Sequence, residues 1–173
     1  MDYFALFGIS ESLTVDAVSL KKKYYDLSRS FHPDLHTGQP EELQKQMMQM
    51  TTEANAAYKI LGDKWKRTEY LLHKQGLLND NASLPSAFLA DMMDLNEQLA
   101  DLQFEPNETK AAQLKQEVGK LIANSDNELH SVSQQFDHAD DAESQSLLPT
   151  LKNLHLKSKY LLRLKASVDT FAT

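Results

Sequence analysis

The chain contains no cysteine, which removes disulfides, thiol chemistry and any thiolate-ligated zinc or iron–sulfur site built by this chain alone. Glycine and proline are scarce, five of each in 173 residues, too few for the many tight turns of a β-sandwich or barrel. No apolar run approaches the ~20 residues needed to span a bilayer. The opening Met1-Asp2-Tyr3-Phe4 has neither the basic flank of a secretory signal nor the arginines of a transit peptide. The expectation is a cytoplasmic protein with no membrane partner. Positive charge is short in the second half: residues 1–75 set ten Lys/Arg against ten Asp/Glu, whereas 76–173 set eight against fifteen, so the whole net charge of -7 sits there. That deficit argues against a nucleic-acid partner, because a phosphate backbone demands a positive field.

What is present points to helices. Hydrophobic residues make up 41% and charged residues 25%, and a chain of this length buries a core without covalent staples. Leu, Lys, Gln, Ala and Met are abundant, and all favour helix. Thr14 is the expected N-cap of a first long helix, with Asp16 in its first turn. Ala17, Leu20, Tyr24, Leu27 and Phe31 then recur at steps of three and four. Pro33 disfavours helical angles at His32, so this helix should end near Phe31. Leu43, Met47, Met50, Ala54, Ala57 and Leu61 form a second stripe, with Gly62 as the expected C′ stop. The two stripes predict an antiparallel hairpin, with a further short helix over 64–74. A small, polar stretch ending at Pro85 marks a boundary. Beyond it lie helical patterns over about 85–103 and 108–136, and a third ending near the C-terminus. Pro149 must occupy the first turn of that third helix or kink it. The expected organisation is all-α: a unit over 1–75, a connector over 76–84, and a three-helix bundle over 85–173.

Phe31-His32-Pro33-Asp34 sits at the tip of the predicted hairpin, where proline stiffens the backbone and two polar side chains need no packing partner. One chemical reading is a metal-dependent hydrolase using His32, Asp34 and His36. No distant carboxylate–histidine cluster supports it, and His130, His138 and His155 fall at unrelated helix positions. The other reading takes the loop with its surroundings. The basic helix before it, the loop itself, Asn55-Ala56-Ala57-Tyr58-Lys59-Ile60-Leu61-Gly62-Asp63 and Arg67-Thr68-Glu69-Tyr70 together resemble a J-domain. Met1-Asp2-Tyr3-Phe4-Ala5-Leu6-Phe7-Gly8, the run Tyr25 to Asp34, and Glu69-Tyr70-Leu71-Leu72 are similar to the HscB family of J-domain co-chaperones of iron–sulfur cluster assembly.

The resemblance implies an adaptor that does no catalysis and binds no cofactor or metal of its own. It would deliver the iron–sulfur scaffold protein IscU to an HscA/DnaK-type ATPase and stimulate that ATPase. Carried over by position, His32, Pro33 and Asp34 form the trigger, and Lys21, Lys22, Lys23 and Tyr25 the docking face. Asp26, Leu35 and Lys64 depart from residues common in other J-domains. In the bundle, Phe88, Met92, Leu95, Leu99 and Leu102 make one apolar stripe, while Leu89 and Met93 make a second, offset by about 100°. A helix in a bundle needs only one such stripe, so the second is either a docking face or additional burial. The resemblance implies a client face of Leu89, Ala90, Met93, Asp94, Glu97, Asp101 and Leu156, with Ala90 and Leu156 smaller than is common in the family. A J-domain co-chaperone for a different client is the alternative.

Overall fold

The structure, a computed structural model, describes residues 1–78 and 83–171; the expected connector over 76–84 falls partly on residues 79–82, outside that range. The chain divides into two compact units, Met1–Leu71 and Leu72–Thr173. Among the described residues there is no strand, and no helix is long and apolar enough to cross a membrane. The all-α expectation holds.

The first unit opens on a helix that periodicity did not announce, α1 (Tyr3–Phe7), whose N-terminus is capped by the Asp2 carboxylate accepting from the amides of Phe4 and Ala5. Gly8 ends it at φ 56°, the left-handed region where a side chain is strained. Next come α2 (Ala17–Ser30), a single 3-10 turn over Pro33–His36, α3 (Glu41–Leu61) and α4 (Lys64–Lys74). The cap of α2 is Asp16 rather than Thr14: its carboxylate accepts from the Ser19 amide at 2.8 Å, while Thr14 is held in a local turn by the Ser12 hydroxyl. A carboxylate directly before the first helical residue reaches the free amides; a threonine two residues earlier does not. Gly62 does end α3, though without a left-handed backbone. Its φ is -76°, and glycine suits it because an added Cβ would lie 2.9 Å from the Tyr58 carbonyl.

Apolar burial in this unit gathers at the base of the hairpin, where Phe4, Phe7, Leu20, Ala57 and Leu61 form the core and Tyr24, Leu27 and Tyr58 pack against it. Tyr24 stacks on Tyr58 at 4.3 Å and donates its hydroxyl to Asn55. Arg67 is buried at 7% exposure, and its guanidinium donates to the carbonyls of Leu13 and Leu61. Toward the tip the second stripe fades: Leu43, Met47 and Met50 are only half-buried.

The second unit contains α5 (Ser86–Asp91), α6 (Met93–Phe104), α7 (Glu108–His138) and α8 (Asp141–Asp169). The single helix expected over 85–103 is interrupted at Met92, whose amide is shared between the carbonyls of Phe88 and Leu89. The bundle core joins Met92, Leu95 and Leu102 to Ala111, Leu114 and Val118 of α7 and Leu161, Leu164 and Val168 of α8. The register of the long pair is antiparallel, with Lys115 of α7 bridging Asp169 of α8 at 2.9 Å. Pro149 lies well inside α8, because the helix starts at Asp141 under an Asp140 cap. The first-turn alternative is therefore wrong, and the Gln145 carbonyl lacks the amide that a non-proline residue would have supplied.

Candidate functional site

The loop after α2 is fastened by its backbone and presents its side chains. Thr51 on α3 donates its hydroxyl to the Phe31 carbonyl at 3.0 Å. Gln44, also on α3, donates to the carbonyls of Thr37 and Gln39 at 3.3 and 2.8 Å. The His36 ring nitrogen Nε2 lies 2.9 Å from the Ser30 carbonyl. Within this frame Pro33 begins the 3-10 turn, and the Leu35 amide closes it on the His32 carbonyl. His32 and Asp34 are exposed, their side chains 57% and 85% accessible.

The His32 ring has two neighbours at Nδ1: the Asp34 amide at 3.3 Å and the Asp34 carboxylate at 3.6 Å. The amide is the one within bonding distance. A nitrogen that accepts from an amide carries no proton, so the neutral ring holds its proton on Nε2 and offers it outward. The loop thus shows a partner one N–H donor and one carboxylate on a braced backbone.

Most of the residues expected to dock a partner share a face with this loop. Lys21 and Lys22 each lie about one turn before Tyr25 on α2, with the Lys21 ammonium 5.9 Å from the Tyr25 ring centroid. Tyr25 stands between two shallow hollows, one lined by Val18, Lys21 and Lys22, the other by Arg29, His32, Asp34 and Leu35. Lys23 does not join them: its ammonium donates to the Gly8 carbonyl at 2.9 Å and ties α2 to the end of α1. Three further residues share this surface, namely Val18 and Leu35, 78% and 63% exposed, and Arg29. For Val18 and Arg29 the signal is spacing, since Val18, Lys21, Tyr25 and Arg29 follow one another at three and four, whereas Leu35 lies in the turn beyond α2 and has no such signal.

His36 faces the Ser30 carbonyl, and among the described residues no three His, Asp or Glu side chains gather as metal ligands. Of the other histidines, His130 is exposed, the His138 ring contacts the Gln134 carbonyl, and His155 is buried.

In the second unit Leu89 and Ala90 lie on α5, Met93, Asp94, Glu97 and Asp101 on α6, and Leu156 on α8; all are exposed except Leu156, which is half-buried. Leu89 and Met93 are 44% and 59% exposed, while the neighbouring stripe of Met92, Leu95 and Leu102 fills the core. Phe88 meets the Tyr160 ring edge-on at 5.5 Å, with Lys157 above its face. Leu156, one turn before Tyr160, therefore lies on the side of α8 that adjoins α5.

Comparison with known proteins is consistent along the chain. The DnaJ domain family matches residues 2–70, and the HSCB C-terminal oligomerisation domain family matches residues 84–169. The chain belongs to the HscB-type J-domain co-chaperones. A co-chaperone protein HscB homolog from Ralstonia nicotianae is 37% identical over 102 residues, covering 57% of this chain and 58% of that one. The co-chaperone protein HscB of Proteus mirabilis is 32% identical over 106 residues, covering 60% of this chain and 61% of its own. The chain thus spans about three fifths of the length of these curated relatives, which are named as co-chaperones rather than enzymes. The solved chaperone HscB from Vibrio cholerae superposes with a TM-score of 0.71 at 26% identity, over 98% of this chain and 96% of its own. The human co-chaperone protein HscB gives 0.75 at 24% identity, over 98% and 81%, a likeness that speaks to the fold alone.

Proposed function

We propose that this HscB-type chain carries a client protein to an Hsp70-type ATPase of the HscA/DnaK kind and triggers ATP hydrolysis there, the client being the iron–sulfur scaffold protein IscU. The observation that carries this reading is the His32-Pro33-Asp34 loop, whose backbone is fastened to α3 while His32 and Asp34 project into solvent. Such a loop performs no chemistry of its own; it supplies a donor and a carboxylate at fixed positions to another molecule's machinery. Lys21, Lys22 and Arg29 would steer an acidic partner toward it. Asp34 would accept a charge-assisted bond from an arginine of that partner. Leu89, Ala90, Met93, Asp94, Glu97, Asp101 and Leu156 would hold the client. Joining trigger and client grip in one chain raises the local concentration of each at the ATPase without any new contact.

The test is His32→Gln. Because the ring is exposed, the variant should fold and bind client as the parent does, yet leave the ATPase of the partner chaperone unstimulated. Stimulation equal to the parent's would contradict the assignment of the trigger.

A further inference from the structure

One large apolar side chain of α6 serves neither the bundle core nor the client face named so far. Phe104, the last residue of the helix, is 90% exposed, more than Leu89 at 44% or Met93 at 59%. It follows Met93 by eleven residues, three turns plus about 20° of rotation and a rise of about 16 Å, so both lie on one face. Ala100 falls on the same line between them, with a side chain too small to interrupt it.

The two edges of this strip differ. On one side is α8, where the Asn96 amide reaches the Tyr160 hydroxyl at 2.6 Å. The other side is acidic: Asp94, Glu97, Asp101 and Glu105 lie about 40° to 120° around the axis from Met93. All four are exposed and form no ion pair among the described residues. Three lysines of the bundle are engaged elsewhere, Lys115 and Lys165 with Asp169 and Lys157 over Phe88.

We propose that the client-docking face continues through Ala100 and past Asp101 to Phe104 and Glu105, and that it takes a client surface whose apolar side chains are bordered on one edge by lysine or arginine. The inference rests on the client reading above and extends it by one full turn of helix. A phenyl ring left in water is a large apolar area available for burial, and aromatic anchors dominate interface energetics. The uncompensated acidic edge selects the sign of the partner's border. A second copy of this chain fits less well, since it brings the same net charge of -7 to the contact.

The experiment is calorimetric titration of the full-length protein with the iron–sulfur scaffold protein. Phe104→Ala should weaken binding about tenfold, a loss of ~1.4 kcal/mol, with an unchanged melting temperature, and Phe104→Leu should retain most of the affinity. Asp101→Asn with Glu105→Gln should weaken binding and flatten its salt dependence; an unchanged salt slope removes the basic border. Leu89→Ala with Met93→Ala is the comparison. If that pair loses binding while Phe104→Ala binds as the parent does, the extension is wrong and the client reading stands. If the pair binds as the parent does, the client reading fails and the extension with it. A Phe104→Ala variant that sediments as a monomer where the parent is a dimer would assign the strip to self-association and overturn the proposal.

Discussion

Thr51→Val isolates the fastening of the proposed trigger loop from the loop itself. The substitution keeps the shape of the side chain but deletes the hydroxyl that donates to Phe31, 20 residues away across the hairpin, at 3.0 Å. The same hydroxyl also contacts the Met47 carbonyl one turn back on α3 at 2.9 Å, a contact that helix geometry makes redundant. The loss is therefore one net hydrogen bond, about 1 kcal/mol. If the loop opens locally, that loss raises its open population roughly fivefold. The amides that report it are those of Leu35 and Gln39, which close on the carbonyls of His32 and His36 at 3.0 Å. Hydrogen exchange at these two positions should accelerate about fivefold. Exchange at the Leu20 amide, in the first turn of α2 at the base, should not change. In the ATPase assay the half-saturating concentration should rise while maximal stimulation is largely kept, and Thr51→Ser should restore both. Faster exchange across the whole first unit would refute the reasoning, because it would make Thr51 a general stabiliser. So would unchanged exchange at Leu35, which would mean that the hydroxyl does not hold the loop.

Two further outcomes follow from the packing of each unit. Arg67→Met leaves the Leu13 and Leu61 carbonyls without their guanidinium donor and should cost about 2–3 kcal/mol in urea denaturation of the first unit; a loss below that range would show that the carbonyls find other donors. In the second unit Lys115 and Lys165 hydrogen-bond the Asp169 carboxylate and hold its pKa below the ordinary 3.8. A lowered carboxyl pKa adds stability that is complete above the unfolded value and is lost as pH falls through the folded one. Asp169→Asn should therefore be less stable than the parent at neutral pH, where that contribution is complete, and urea denaturation followed by circular dichroism should show the gap closing as pH falls through the folded pKa; a gap that does not change with pH would refute the ion-pair account.

Much of this molecule was legible as periodicity. Leu20, Tyr24 and Leu27 mark α2, the run from Leu43 to Leu61 marks α3, and Met92, Leu95 and Leu102 mark the buried face of the bundle's first member. What stayed hidden depends on interactions that spacing does not encode. A helix of five residues such as α1 is too short to show a period, and its existence follows from the Asp2 cap and the left-handed Gly8. The break at Met92 sits in a stripe that continues on both sides, so no apolar position signals it. Lys21, Lys22 and Lys23 look alike in the sequence, yet Lys23 alone finds the Gly8 carbonyl, because α1 packs beside α2. The residues proposed as the trigger were visible through the motif. Their supports, Thr51 and Gln44, lie 19 and 12 positions beyond His32 and reveal themselves only when α3 folds back.

The acceptors used by those supports are the carbonyl oxygens of Phe31, Thr37 and Gln39, with Ser30 meeting His36. Every one belongs to the main chain, which survives any replacement of the side chain attached to it. Mount and message are thus chemically separate. Replacing a displayed side chain such as Leu35 therefore leaves the scaffolding beneath with the same grip, and the tip can be altered without the hairpin having to be redesigned.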